Sequence, residues 1–385
     1  MAFRDGALLV VLGLCLLYVK SSEANADVEH NNRHDLIVKL MEVHNKLVIP
    51  RTPVQLSFGL VMRAIEDVDE KANILRISVF SDMAWSDHRF QWDPANYSGI
   101  YSVSLPLNSV WRPDLVPSYA KIEEEHVTVA AFVDGTVRSY VPQRLSIPCS
   151  FDFNDYPYDV HTCDLKFQSW THSGNRINLT IIDETAASLT YHRDNSQWEI
   201  LSFKATRTAT TYPCCPNEEY IDVSYRIQFK RTVGEYQVRV VTPSIITSLL
   251  ILVCFLIPPL SGGRMVLCSV VILGLLLQLA ILNLTVPIRG PNAPFMADFL
   301  CFSVFLAFFA AIESVVSMNL SSWGSLSGSG NNNGDASKDG EELVAQPKPN
   351  LFLMQLARII DLVCFVVFTV VFAIGGAIIL NPKTE

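Results

Sequence analysis

Nine cysteines are the residues best able to fix this chain covalently. Cys15 lies in an N-terminal apolar run, Cys149, Cys163, Cys214 and Cys215 in a long polar stretch, and Cys254, Cys268, Cys301 and Cys364 in later apolar runs. An even set in the polar stretch suits two bridges, for which sequence permits three pairings. The adjacency of Cys214 and Cys215 favours one bridge between those neighbours and one from Cys149 to Cys163. The latter closes a loop of about 15 residues, worth ~3 kcal/mol on the loop-entropy model. Such bridges persist in an oxidising compartment. Catalytic chemistry finds no support, because no nucleophile, base or metal cluster has suitable spacing. His88, His126, His161, His172 and His192 are scattered and suit surface or packing roles. The chain reads as no enzyme, with no metal or other cofactor.

The elements that carry these cysteines follow from composition. A chain of 385 residues that is 50% hydrophobic and only 17% charged is too apolar for an ordinary soluble protein and implies a soluble part joined to a membrane part. Residues 1–26 hold Arg4, a short apolar run and the small-x-small triplet Ala24-Asn25-Ala26, the pattern of a signal peptide cut after Ala26. Secretion then places the polar stretch outside the cell. Asn96-Tyr97-Ser98 and Asn178-Leu179-Thr180 are glycan acceptors there, at Asn96 and Asn178. A net charge of −9 argues against nucleic acid and weakly favours cationic ligands and cations.

Residues 34–46 place Leu36, Ile37, Leu40, Met41 and Val43 on one face of a short amphipathic helix. From Val54 to about Arg231, short alternating runs separated by turn residues such as Asp134-Gly135 read as an antiparallel sandwich. The runs are VQLSFGLVM, NILRISVF, VTVAAFV, DVHTCDLKFQSW, INLTII and VSYRIQF. Beyond them come four apolar stretches, roughly Val238–Leu260, Arg264–Val286, Pro294–Val316 and Leu351–Leu380. Each has at least the roughly 20 residues needed to cross a hydrocarbon core. The Gly-, Ser- and Asn-rich segment between the last two cannot bury enough apolar surface to fold alone and suits a flexible intracellular linker. The expected fold is an all-β extracellular sandwich with a short N-terminal helix, followed by an all-α four-helix transmembrane domain. Its divisions are 1–26, 27–233, 234–318, 319–350 and 351–385, with both ends of the mature chain outside.

Cys149 and Cys163 enclose SFDFNDYPYDVHT, whose tip Tyr156-Pro157-Tyr158-Asp159 is aromatic and partly apolar and suits docking against a membrane domain. This loop, the vicinal cysteines and four later spans together resemble the Cys-loop family of pentameric ligand-gated ion channels. Further matches are Trp85-Ser86-Asp87, Gln91-Trp92-Asp93-Pro94, Trp111-Arg112-Pro113-Asp114, Asp67-Val68-Asp69-Glu70-Lys71 and Leu165-Lys166-Phe167-Gln168-Ser169-Trp170. The likeness is to nicotinic acetylcholine receptor subunits of alpha type, and also to the orphan Alpo receptors of annelids, and it covers nearly the whole mature chain.

The resemblance implies five subunits around an axis at the plasma membrane of a postsynaptic or similar cell, with a small-molecule agonist bound between neighbours. Trp170, Tyr212 and Tyr220 would supply ring faces to an amine or quaternary ammonium, each worth roughly 0.5–2 kcal/mol. The stretch from Tyr212 through Cys214 and Cys215 to Tyr220 would be the lid. Phe80, Ser118, Tyr119, Ser139 and Val141 fall at the remaining pocket positions. Phe80 stands where relatives offer Trp, and Ser118 where they offer Tyr, with Tyr119 one place later. Trp92 and Trp111 suit core packing. Glu70, Asp159 and Arg231 resemble the charge cluster that joins pocket motion to the membrane domain. Pro243 would bend the first span by leaving a carbonyl unpaired, and Pro287 and Pro294 punctuate the connector on which the docking loops would press.

By the same resemblance the second span lines the pore, placing Val266, Val270, Leu273, Leu277, Ala280 and Leu284 on the axis. Their spacing is that of one helical stripe. Leu273 matches the hydrophobic gate, and Ser269 and Gln278 fall off the stripe. Gly263 precedes Arg264 at the inner mouth, where cation-selective relatives have Glu, while the Pro-Ala of anion channels is also absent. A homopentamer passing cations in the lipid bilayer is the favoured reading. A subunit that needs a polar-pored partner in a heteromer, and a membrane-anchored binding or adhesion protein, are its rivals.

Overall fold

The computed structural model describes residues 28–125, 128–182, 187–286, 293–326 and 351–380. The expected signal peptide, Pro287 with most of its connector, and the linker beyond 326 lie outside the described residues. Helix α1 covers residues 28–43 and buries Leu36 and Leu40 from its expected apolar face.

The strands are β1 (Val54–Asp69), β2 (Ile74–Gln91), β3 (Ser102–Pro106), β4 (Leu115–Ser118), β5 (Lys121–Glu124), β6 (Thr128–Phe132), β7 (Asp134–Pro148), β8 (Val160–Ser169), β9 (Ile177–Ile181), β10 (Ala187–Ser188), β11 (Trp198–Tyr212) and β12 (Cys215–Arg231). One sheet runs β10-β1-β2-β7-β6-β3, with β5 also on β7 and β9 on β1. The other runs β11-β12-β8-β4. Phe58 of β1 meets Phe167 of β8 at 4.8 Å and Tyr225 of β12 at 5.9 Å between ring centroids, so large aromatics from both sheets fill the core. Strands β9 and β10 pair with β1 in parallel, a departure from a wholly antiparallel sandwich. Strands β7 and β11 escape the alternating runs read from sequence. The first carries Pro142 and Pro148, and the second is Thr-rich and largely exposed.

Arg89 pins α1 to this sandwich. Its guanidinium binds Asp87 at 2.6 and 2.8 Å and donates to the carbonyls of Asn45 and Val48, just beyond the helix. Cys149 and Cys163 are bridged.

The chain forms two compact units. The second comprises Phe151–His161, Ser196–Glu199 and everything from Lys230. The tip of the Cys149–Cys163 loop therefore belongs with the apolar helices, as its composition suggests. These are α2 (Val233–Tyr236), α3 (Thr242–Cys254), α4 (Gly262–Thr285), α5 (Phe295–Leu326) and α6 (Leu351–Leu380). Among the described residues, four segments are long and apolar enough to cross a membrane: Gln237–Cys254, Gly262–Thr285, Phe295–Gly324 and Leu351–Gly375. Just before Pro243 the helix widens to a π turn over Gln237–Val241, where the Thr242 amide donates to Gln237. The proline's missing donor is thus expressed as a local rewinding. Helix α5 runs to Leu326, eight residues into the segment expected as linker from 319.

Candidate functional site

Strand β8 ends at Ser169, and Asp114 fixes the loop beyond it. The Asp114 carboxylate accepts from Ser169 Oγ at 2.6 Å and from Thr171 Oγ1 and N at 2.6 and 2.8 Å, while its carbonyl accepts from Trp170 N at 3.3 Å. Burial would raise the Asp114 carboxyl, but these hydrogen bonds outweigh it and hold it below the usual carboxylate range. A few residues on, Gly174 donates its amide to Glu219 at 2.7 Å, and a Cβ there would meet Ile221 Cδ1 at 2.7 Å. This close approach draws the Trp170 loop against β12.

The result is a small cavity of about 250 Å³ in which Trp170, Tyr212 and Tyr220 come together. The Tyr212 and Tyr220 rings meet edge to face at 5.4 Å, and Trp170 is 73% exposed. Gln168 and His172 also line the cavity. Neither was singled out for the pocket from sequence, although His172 stands two places beyond Trp170. The Cys214 and Cys215 sulfurs lie 2.8 Å apart at the hairpin tip, as free thiols rather than the expected bridge, and Tyr220 donates to Glu218 at 3.4 Å.

The other expected pocket residues lie elsewhere. Ser118 ends β4, and Tyr119, at φ 66°, is almost wholly exposed. Phe80 lies on β2 in the other sheet, with the Arg63 guanidinium 4.8 Å from its ring centre. Ser139 and Val141 require correction. The alternation of β7 turns both side chains into the core, at 1% and 0% exposure, and presents Arg138 and Tyr140 outward instead. Asn96 is exposed, whereas Asn178 donates to Gln55 at 2.8 Å.

Within the helical unit, Val266, Val270, Leu273, Leu277, Ala280 and Leu284 are all exposed along one face of α4. The opposite face buries Cys268, Val271, Leu275 and Leu282. Gln278 turns to α3, donating to Thr247 at 3.0 Å, and the Ser269 hydroxyl donates to the Met265 carbonyl. Arg264 is only 1% exposed. It binds Glu313 of α5 at 2.5 Å and Asp361 of α6 at 2.8 Å, and donates to Ser314 at 2.9 Å.

Of the three expected coupling charges, Asp159 and Arg231 pair directly, at 2.9 and 3.0 Å. Arg231 lies over the rings of Trp198, Tyr236 and Tyr156 at 4.4, 4.7 and 4.9 Å. His161 binds the same carboxylate at 2.6 Å. Glu70 lies in the β1–β2 turn. In the helical unit, Phe153 and Tyr156 join the buried core of the helices, Tyr158 stacks on Phe295 at the head of α5, and the Phe295 amide donates to Asn154.

Residues 33–233 match the family model described as the neurotransmitter-gated ion-channel ligand binding domain. The chain is 28% identical over 338 residues to acetylcholine receptor subunit alpha-type unc-38 of Caenorhabditis elegans, covering 81% of the chain and 66% of that protein. It is 28% identical over 323 residues to human neuronal acetylcholine receptor subunit alpha-4, covering 81% and 50%. With acetylcholine receptor subunit alpha-like 2 of Drosophila melanogaster it shares 28% identity over 331 residues, covering 81% and 56%. The chain spans from half to two thirds of the length of these relatives.

Proposed function

The chain belongs to the neurotransmitter-gated ion-channel family, and on that premise we propose that it is an agonist-gated channel subunit of the plasma membrane. Five copies surround a pore lined by α4, and a small cationic or amine-like agonist binds between neighbours. The likeness to acetylcholine receptor subunits favours cations as the permeant ions. The observation that carries the reading is the division of α4. One face packs into its own helical unit, while an unbroken stripe from Val266 to Leu284 is left exposed, as a helix surrounding an axis requires.

The cavity beside Trp170 supplies the agonist site, with three ring faces for an ammonium group. Joining the Cys214 and Cys215 thiols in a bridge would stiffen the hairpin tip as a lid. Strand β8 runs from the Trp170 loop back to Val160, next to Asp159, and β12 runs from the lid to Arg231. The two strands that carry the cage thus end on one buried ion pair. From there the aromatic loop tip reaches the head of α5 through Tyr158 and Phe295. Lid closure pulls on these strands, and the loop tip passes the displacement to the helices and widens the Leu273 ring.

The test is current recorded from membranes expressing this chain alone during application of a panel of amines. Agonist-dependent current is expected. Silence to every amine, with pentamers present at the surface, overturns the autonomous channel. One observation favours a second reading, in which the subunit conducts only beside a polar-pored partner. The exposed stripe carries no polar side chain, and a wall of Val and Leu tends to dewet.

A further inference from the structure

The cavity that brings Trp170, Tyr212 and Tyr220 together also holds a side chain able to become a cation itself. His172 lines it from the loop that carries Trp170. Its amide donates to Ser169 Oγ at 3.0 Å, and that hydroxyl donates to Asp114 at 2.6 Å, so the turn bearing both rings is fixed at its base. The Gly174 amide then ties the chain to the Glu219 carbonyl of β12 at 2.7 Å, which keeps His172 against the cavity. The imidazole is half-buried and makes no hydrogen bond or ion pair among the described residues. Nothing in the packing of this ring commits it to one charge state.

Histidine is the side chain whose ordinary titration falls between about pH 5 and 8. The other titratable groups around the cage come from three directions. Asp114, just before β4, is held below the usual carboxylate range by its own hydrogen bonds, and His172 is among the charges that act on it. On the β11–β12 hairpin, Tyr220 and Cys214 are both pushed up, first of all by hydrogen bonds with Cys215, and Tyr212, Glu218 and Glu219 stand beside them. Lys166 of β8 is paired with Asp222 of β12 at 2.9 Å. Protonation of His172 therefore sets a positive charge against the same cavity that offers its ring faces to an ammonium. Two like charges in one small site repel.

We propose that His172 is a specificity-determining residue of the cage, which admits an ammonium ligand while the imidazole is neutral and excludes it once the imidazole is charged. Protons and the ammonium thus compete for one cavity within a single subunit. The assignment rests on the agonist site proposed above and deepens it by naming the competitor.

Tetramethylammonium is the probe, because it has no titratable group and any pH dependence of its binding belongs to the protein. Binding is measured calorimetrically at pH 8 and pH 5.5 to the full chain purified as its native oligomer, and to His172→Gln, His172→Asn and Trp170→Ala. Wild-type affinity should fall roughly three- to tenfold at the lower pH, a modest loss because the site is open to solvent. Either neutral replacement should bind equally at both pH values, close to the wild-type affinity at pH 8. By linkage, the wild type should also release protons on binding near pH 6.5, seen as a signal that varies with the ionisation enthalpy of the buffer, and His172→Gln should not. Wild-type binding that is lost in Trp170→Ala yet equal at both pH values would remove His172 and leave the cage standing. A pH dependence that persists in both neutral variants would place the titrating group elsewhere and overturn the assignment. Binding indifferent to Trp170→Ala, or no binding at either pH, would overturn the cage and the role of His172 with it.

Discussion

Arg231 and Asp159 form a two-nitrogen, two-oxygen ion pair with both side chains at most 2% exposed. Burial alone would raise the Asp159 carboxyl, but hydrogen bonds with His161 and Arg231 outweigh it and hold the group at about 2.

That depression has a defined sign. A carboxyl whose folded pKa lies below its unfolded value of about 3.9 adds stability that is fully present above that value. The stability is lost as pH falls from about 4 to about 2, and amounts to roughly 2 kcal/mol. Asp159→Asn should abolish this acid-dependent component. It should also cost about 3–5 kcal/mol at neutral pH, because Arg231 is left buried without a counter-charge. Thermal unfolding across a pH series checks both, and a wild-type acid slope in Asp159→Asn would refute the assignment.

Arg264 illustrates a charge that sequence position misplaces. Its place at the start of α4 suggests a ring of positive charge at the pore mouth, yet it is buried and clamps α5 and α6 through Glu313 and Asp361. Arg264→Gln should therefore reduce the yield of folded oligomer severely, by about 3 kcal/mol or more, since two acids lose their cation. Adding Glu313→Gln and Asp361→Asn should restore part of the yield. A well-folded Arg264→Gln channel with altered ion selectivity would instead return the charge to the pore.

On the proposed function, Asp114 would act on the agonist through Trp170. Its three side-chain hydrogen bonds to Ser169 and Thr171 set the loop on which Trp170 stands. Asp114→Asn keeps the shape but replaces one acceptor oxygen by a donor amide, which the Thr171 amide or the Ser169 hydroxyl then faces. Agonist affinity should fall about tenfold, with the purified protein still eluting as the wild-type oligomer. Unchanged affinity would mean that the Trp170 loop holds its place without Asp114.

The residues explain why some of this was legible in sequence and some was not. Spans of about 20 apolar residues announce themselves because a bilayer demands them. The end of α5 was misread because Ser321-Ser322-Trp323-Gly324 has linker composition, yet Ser321 is buried at 3% and packing overrides propensity. Ser139 and Val141 were misassigned because a strand reverses its facing at every residue, so a single step decides between core and surface. Arg63 over Phe80 could not be read at all. It depends on the β1–β2 register, which passes through an irregularity between Met62 and Ala64, at Arg63 itself.

Two positions of α4, two residues apart, separate the pore reading from ordinary helix packing. Leu273 is 68% exposed and Leu275 is 0% exposed. Leu275→Ala removes buried methyl groups among tightly packed neighbours and should cost about 2–5 kcal/mol, seen as lost surface expression. Leu273→Thr changes a mostly exposed side chain and should leave stability within about 0.5 kcal/mol. If five Leu273 side chains close an apolar ring, their replacement by hydroxyl-bearing residues wets the constriction and raises agonist-free leak current. The rise should also be seen when the chain is expressed alone. Intact surface expression of Leu273→Thr with no leak would show that the homomer encloses no pore at this level, and would leave the partner-dependent channel as the surviving reading.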